Sequence, residues 1–91
     1  MAGKFRPGSV VATPGALEAM GASGVDPLSL LSRHINGDWG DVDEETVLEN
    51  NRSLEHGWRV LSSYNLPSGE RVWIITEADR SSTCFLLPEE Y

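Results

Sequence analysis

His34 is the residue of this sequence best suited to proton transfer, and the strands expected behind it carry Arg59, Arg71 and Arg80 together with Ser62, Ser82 and Thr83. Cleaving a phosphodiester without a metal requires a base, an acid and cations that hold the phosphate oxygens. Histidine and arginine supply those roles. His34, Arg59, Ser62, Arg71, Arg80 and Thr83 therefore form a candidate catalytic set, with His34 as the acid–base group and the arginines on phosphate. A second acid–base group is not evident unless His56 or Glu77 serves. The competing reading is that the arginines pair with Glu70, Glu77 and Asp79 across the hairpins.

Asp38, Asp41, Asp43, Glu44 and Glu45 form an oxygen-rich stretch of the kind that suits calcium or magnesium. Their spacing lacks the alternating acids and central glycine of an EF-hand loop. Asp38 and Asp43 are better read as helix caps or as braces for the turn around Trp39, so no metal and no cofactor is expected. Cys84 is the only cysteine, which excludes an internal disulfide or a cysteine-based zinc site. Neither Ser62-Ser63 nor Ser81-Ser82 has the glycine-flanked elbow of a nucleophilic serine, and no glycine-rich phosphate loop is present.

A third possibility is a protein-binding surface. Trp39, Trp58, Trp73, Tyr64 and Tyr91 are many large aromatics for so small a core, and exposed Trp, Tyr and Arg are typical interface anchors. With the acidic Glu44, Glu45 and Glu49, the residues Trp39, Tyr64 and Tyr91 make up the candidate partner surface. The plainer reading is that the aromatics fill the core.

Composition narrows the partners. Seven basic residues face fourteen acidic ones in 91, a net charge of −7. Duplex nucleic acid is not expected as a direct partner, because binding it relies on a basic stripe and counterion release. A basic protein partner fits the charge better. Acid clusters between Asp38 and Glu55, where Arg52 is the sole basic side chain; a solvated helix face is the plainer reading. Residues 1–12 form no apolar leader and no run reaches membrane-spanning length, so no membrane association and a cytoplasmic location are expected.

The elements that must position these residues follow from periodicity and caps. Residues 1–9 are expected to be a flexible lead-in, and Val10–Ala12 a short strand or extended arm. Thr13-Pro14 and Asp26-Pro27 each read as a helix start, a capping side chain followed by proline at the first helical position. The second helix should run to Ile35 and place His34 in its last turn, where the helix dipole favours a cation. Asp43 caps a third helix over about Glu44–His56, with Val47, Leu48 and Leu54 inward and Gly57 as its stop. From Gly57 the period becomes alternating, giving strands over 58–64, 71–77 and 82–87. The expectation is a single α+β domain over 1–91: two to three N-terminal helices packed on a three-stranded antiparallel β-meander. Its last strand would be an edge open to homodimerisation.

Two resemblances add to this reading. Arg33-His34, Gly37-Asp-Trp-Gly-Asp41, Asn50-Asn51, Ser62 with Tyr64, Thr76-Glu-Ala-Asp-Arg80-Ser with Thr83, and Leu86-Leu-Pro-Glu-Glu-Tyr91 resemble a family of short bacterial proteins. These are carried on plasmids and other mobile elements and are described as hypothetical or plasmid-related. The likeness runs from Pro7 to Tyr91. It implies a cytoplasmic accessory protein of a mobile element, a setting in which small acidic proteins are often inhibitors of host defence or partners in toxin systems. With the acidic helix and the aromatics, the expectation is a protein that acts by macromolecular binding, inhibiting a host defence or nucleic-acid-handling protein. The order of helices followed by an antiparallel sheet bearing Arg and Ser/Thr is also similar, in architecture alone, to barnase-like ribonuclease toxins. That likeness implies a metal-independent ribonuclease as the alternative.

Overall fold

In the computed structural model, which describes residues 3–91, the chain runs β1 (Ser9–Ala12), α1 (Pro14–Ala22), α2 (Pro27–Ile35), α3 (Glu44–His56), β2 (Val60–Asn65), β3 (Arg71–Thr76) and β4 (Ser82–Leu86). A 3-10 turn over Pro88–Glu90 follows. The three helices start where their caps place them. Thr13 Oγ1 accepts from the Ala16 N–H at 3.1 Å, Asp26 Oδ1 from Leu28 at 3.0 Å, and Asp43 Oδ1 from Thr46 at 2.8 Å. Each satisfies a backbone donor that the first helical turn leaves free.

The expected α+β class holds. The expected meander is present, β2 pairing with β3 and β3 with β4, all antiparallel. The sheet is nevertheless four-stranded and mixed, because β1 joins it parallel to β4, in the order β1-β4-β3-β2. The last strand is therefore an interior strand, and the expected open edge at β4 is occupied. A four-residue run between Pro7-Gly8 and Thr13-Pro14 is too short to show a period of its own, so only its pairing identifies it as a strand.

Residues of alternate parity define the two faces of the sheet. Val60, Ser62, Tyr64, Val72, Ile74, Thr76, Thr83 and Phe85 are buried, and the register of the ladders puts them on one face. Ala16, Ala19 and Met20 of α1 and Leu30, Leu31 and Ile35 of α2 join Tyr64, Val72, Ile74 and Phe85 in the core. The arm before β1 is part of the structure: the Lys4 N–H donates to Ile35 O at 2.6 Å, and Pro7 O accepts from Thr83 Oγ1 at 2.7 Å. The flexible lead-in expected over 1–9 is thus replaced, from residue 3 onward, by a pinned segment; Met1 and Ala2 lie outside the described residues.

The third helix departs most from expectation. It does not bury Leu48, which is 56% exposed, and its buried residues are Asn50 and Ser53. The Asn50 carboxamide lies against the outer edge of β2. It donates to Leu61 O at 2.7 Å and accepts from Leu61 N at 3.1 Å, as a neighbouring strand would. Two residues further along β2, Ser63 N donates to Trp39 O (3.0 Å) and Ser63 O accepts from Asp41 N (2.6 Å). Gly40 makes that approach possible. Its φ is +75°, and a Cβ there would collide with the Ser63 carbonyl and the Tyr64 ring, so no L side chain fits. Among the described residues, no helix is long and apolar enough to cross a membrane.

Replacing Asn50 removes both partners of Leu61 at once. Asn50→Ala should cost about 1–3 kcal/mol of unfolding free energy. Asn50→Asp, which keeps the shape but sets a buried carboxylate against Leu61 O, should cost at least as much. Urea unfolding followed by tryptophan fluorescence measures both.

Candidate functional site

His34 emerges from the last turn of α2 into the protein interior, with no solvent exposure. Its ring lies between aromatic neighbours, edge-on to Phe5 (centroids 5.3 Å apart) and to Trp39 (5.9 Å). Both ring nitrogens are engaged: Nδ1 is 2.5 Å from Ser62 Oγ on β2, and Nε2 is 2.9 Å from Thr76 Oγ1 on β3. Thr76 Oγ1 is 2.7 Å from Thr83 Oγ1 on β4, which reaches Pro7 O. A row of side chains thus crosses three strands and ends on the arm.

The direction of this row follows from its end. A carbonyl only accepts, so the Thr83 hydroxyl donates to Pro7 O. Thr83 Oγ1 must then accept from Thr76, Thr76 Oγ1 must accept from the imidazole, and Nε2 carries the proton. Nδ1 is left to accept from Ser62. The tautomer is assigned by this acceptor-only terminus. Burial is the main cause holding His34 neutral, and the Arg80 guanidinium adds to it; together they lower its pKa to about 3. The dipole of α2 would favour a cation here, but the desolvation cost of a fully enclosed imidazolium outweighs it.

The other members of the candidate catalytic set do not all converge on His34. Ser62 and Thr83 do, but both are wholly buried and hydrogen-bonded as above. Arg71 lies on the opposite face, by strand parity, where it donates to Asp41 (2.9 Å) and to Asn65 Oδ1 (3.1 Å). Arg59 donates to the Tyr91 hydroxyl at 2.6 Å and lies over that ring, which in turn packs against Trp73. Arg80, in the β3–β4 turn at φ +60°, donates to the carbonyls of Trp58 (2.6 Å), Glu77 (3.1 Å), Ala78 (3.4 Å) and Ser53 (3.0 Å), and it lies over Phe5. A guanidinium at the carbonyl end of α3 is where the helix dipole favours it. The pairing with Glu70, Glu77 and Asp79 side chains expected as the competing reading is not what these arginines make. Their partners are Asp41, a phenol and main-chain carbonyls.

The acidic loop is engaged as well. Asp38 pairs with Arg33 (2.7 and 3.3 Å) and braces Gly40. The hydrogen bond from Arg33 holds the Asp38 carboxyl below its usual range. Asp41 takes Arg71, and Asp43 caps α3. Of the proposed partner residues, Trp39 and Tyr64 belong to the interior, at 4% and 1% exposure. The Tyr64 hydroxyl donates to Asp38 O at 2.6 Å under Arg33, and burial pushes its pKa up to about 12. Glu44, Glu45, Glu49 and Tyr91 are exposed.

Sequence reasoning missed three features. Thr76 joins the site although the candidate set lacks it; alternation along β2 and β3, with their register, puts it on the same face as Ser62. Asn50 and Ser53 form the inward face of α3, which hydrophobic periodicity does not reveal because neither is apolar. Leu48, beside Glu44 and Glu49, and Trp58, stacked on His56 (centroids 4.8 Å apart) and 53% exposed, are apolar residues that stay outward. No protein-family model, curated protein or solved structure matches the chain.

A histidine whose pKa is lowered by folding binds its proton in the unfolded chain first. It therefore contributes stability that is complete above the unfolded pKa of about 6.5 and is lost as pH falls toward the folded value of about 3. The unfolding free energy should drop between pH 6.5 and 4 by up to about 1.4 kcal/mol per pH unit. His34→Gln should remove the His34 part of that slope while being less stable at pH 7. Urea titrations at stepped pH read both effects.

Proposed function

We propose that this protein is a non-enzymatic binding module, an accessory protein of a mobile element that acts on a basic, nucleic-acid-handling partner. The contact is the outward face of α3. One observation carries the reading: Leu48, more than half exposed, stands among the exposed carboxylates of Glu44, Glu45 and Glu49. The helix presents them because it is held by polar contacts from Asn50 and Ser53 rather than by its apolar residues. An apolar centre with a charged rim is the usual anatomy of a protein contact. Complementary charge would steer a basic partner toward it. The accessory role rests on the resemblance of the sequence strings, and the net charge of −7 supports a basic partner. Trp39 and Tyr64 leave the contact because they are interior; Tyr91 stays exposed, at a distance in sequence from α3.

The ribonuclease alternative has less support. Its acid–base histidine would need access to solvent, a free nitrogen and nearby cations. His34 is enclosed, bonded at both nitrogens, and parted from Arg59 and Arg71 by the sheet, and the Arg80 guanidinium that acts on it is engaged by main-chain carbonyls.

The wild-type protein, immobilised at low salt, should retain basic nucleic-acid-handling proteins from a bacterial lysate. Glu44→Lys, Glu45→Lys and Glu49→Lys combined should abolish that retention, and Leu48→Ala should weaken it about tenfold, the scale of a modest interface anchor. A partner set unchanged by the triple reversal would remove α3 as the contact.

A further inference from the structure

We infer that β1 is a self-association edge, through which two copies of this chain join antiparallel across a two-fold axis at Val11. This surface is separate from the outward face of α3, and the inference does not depend on the reading given to that helix.

The two edges of the sheet are treated differently. At the β2 edge, Leu61 is bonded at N and O by Asn50, and Ser63 by Trp39 and Asp41. The β1 edge has no such cover among the described residues. Ser9 N donates to Ser81 O and Thr13 N to Phe85 O, so the odd residues of this parallel strand face β4. By alternation, the N–H and C=O groups of Val10 and Ala12 point away from the sheet. Val10 is 46% and Val11 51% exposed, and no residue of β1 is charged.

The outward groups restrict the register. In an antiparallel pair, bonded residues exchange both bonds. The register that uses the outward groups of both residues pairs Val10 of one copy with Ala12 of the other, and Val11 then falls opposite its own counterpart. That non-bonded pair is the close one, with Cα atoms about 4.5 Å apart, and two half-exposed valines cover each other there.

Charge selects the antiparallel sense and a second copy as the occupant. Before Glu18 the chain has no acidic residue, and exposed Arg6 lies three residues ahead of β1. At the other end of β1 are Glu89 and Glu90, both exposed, with Glu90 accepting from Thr13 Oγ1 at 2.7 Å. Antiparallel self-pairing sets the arginine end of each strand beside the glutamate end of the other, twice. Parallel pairing would set like beside like. The net charge of −7 repels a second copy over the rest of the surface, which leaves this edge, where each glutamate end meets an arginine end, as the place of approach.

A short ladder makes a weak dimer, so sedimentation equilibrium should run from about 10 to about 500 µM. The full chain, 10.0 kDa as a monomer, should approach twice that mass. Val10→Pro removes only an outward N–H and spares the β4 ladder; Val11→Lys sets two like charges across the axis. Each should raise the dimer Kd about tenfold or more, with the far-UV circular dichroism unchanged. In a Cys84→Ala background, Val11→Cys should form a disulfide-linked dimer under mild oxidation and Val10→Cys should not. A chain that stays monomeric over the whole range overturns the inference. So does a dimer that neither Val10→Pro nor Val11→Lys weakens, or a Val11→Cys dimer that does not cross-link.

Discussion

Burial disfavours a charged imidazole and asks for a partner at each ring nitrogen, and His34, with no solvent exposure, meets both conditions by joining helix to sheet. Its two hydroxyl partners sit on neighbouring strands, and a third hydroxyl passes the connection to β4 and the arm. Leaving any one of these groups unpaired in the interior costs about 1–3 kcal/mol, a large fraction of what a domain of this size has in hand. The row therefore specifies more than it stabilises. α2 can dock at one depth and one rotation only, because a shift along its axis would break both ring contacts together. Phe5 and Trp39 close the ring off from solvent, and each is held in turn, Phe5 under Arg80 and Trp39 by its N–H to Asn51 at 3.3 Å.

The same reliance on polar side chains governs the opposite end of the molecule. A helix that packs on a sheet through Asn50 and Ser53 gains little from burial of apolar area, but it closes an edge that would otherwise template aggregation. It also leaves the helix free to carry acid and apolar residues outward together. Arg80 ties this helix to the rest by collecting carbonyls from α3, from the entry to β2 and from the β3–β4 turn. What looks in sequence like a phosphate ligand is thus a clamp on main-chain oxygens.

Most of the architecture was legible in the residues. Thr13-Pro14, Asp26-Pro27 and Asp43 gave the helix starts, Gly57 gave a stop, and the alternation after it gave the meander. Periodicity reports which residues share a face, and this sufficed to group Val60, Ser62 and Tyr64. It does not report what covers a face or what pairs with a four-residue run, so a strand and an extended arm stay open at Val10–Ala12, and the pairing of β1 and the interior position of β4 lie outside its reach. The candidate site was legible only in composition. His34, Ser62 and Thr83 do meet, but Arg59 and Arg71 lie on the other face of the sheet, and Arg80, though its charge acts on His34, spends its donors on main-chain carbonyls. The inward face of α3 is hidden from hydrophobic periodicity because the strand edge it meets asks for a carboxamide and not for leucines.

The row of hydroxyls also has a sense, fixed by a carbonyl that can only receive. Pro7 O lies on the arm and not in the sheet, so the arm decides which way every proton in the row points. Were the arm to lift, Thr83 would lose its one-way neighbour and both orientations would become equally available. The imidazole would then exchange its proton between nitrogens. The two ring nitrogen resonances of a single interior histidine thereby register, from the far end of the row, whether the first residues of the chain are seated.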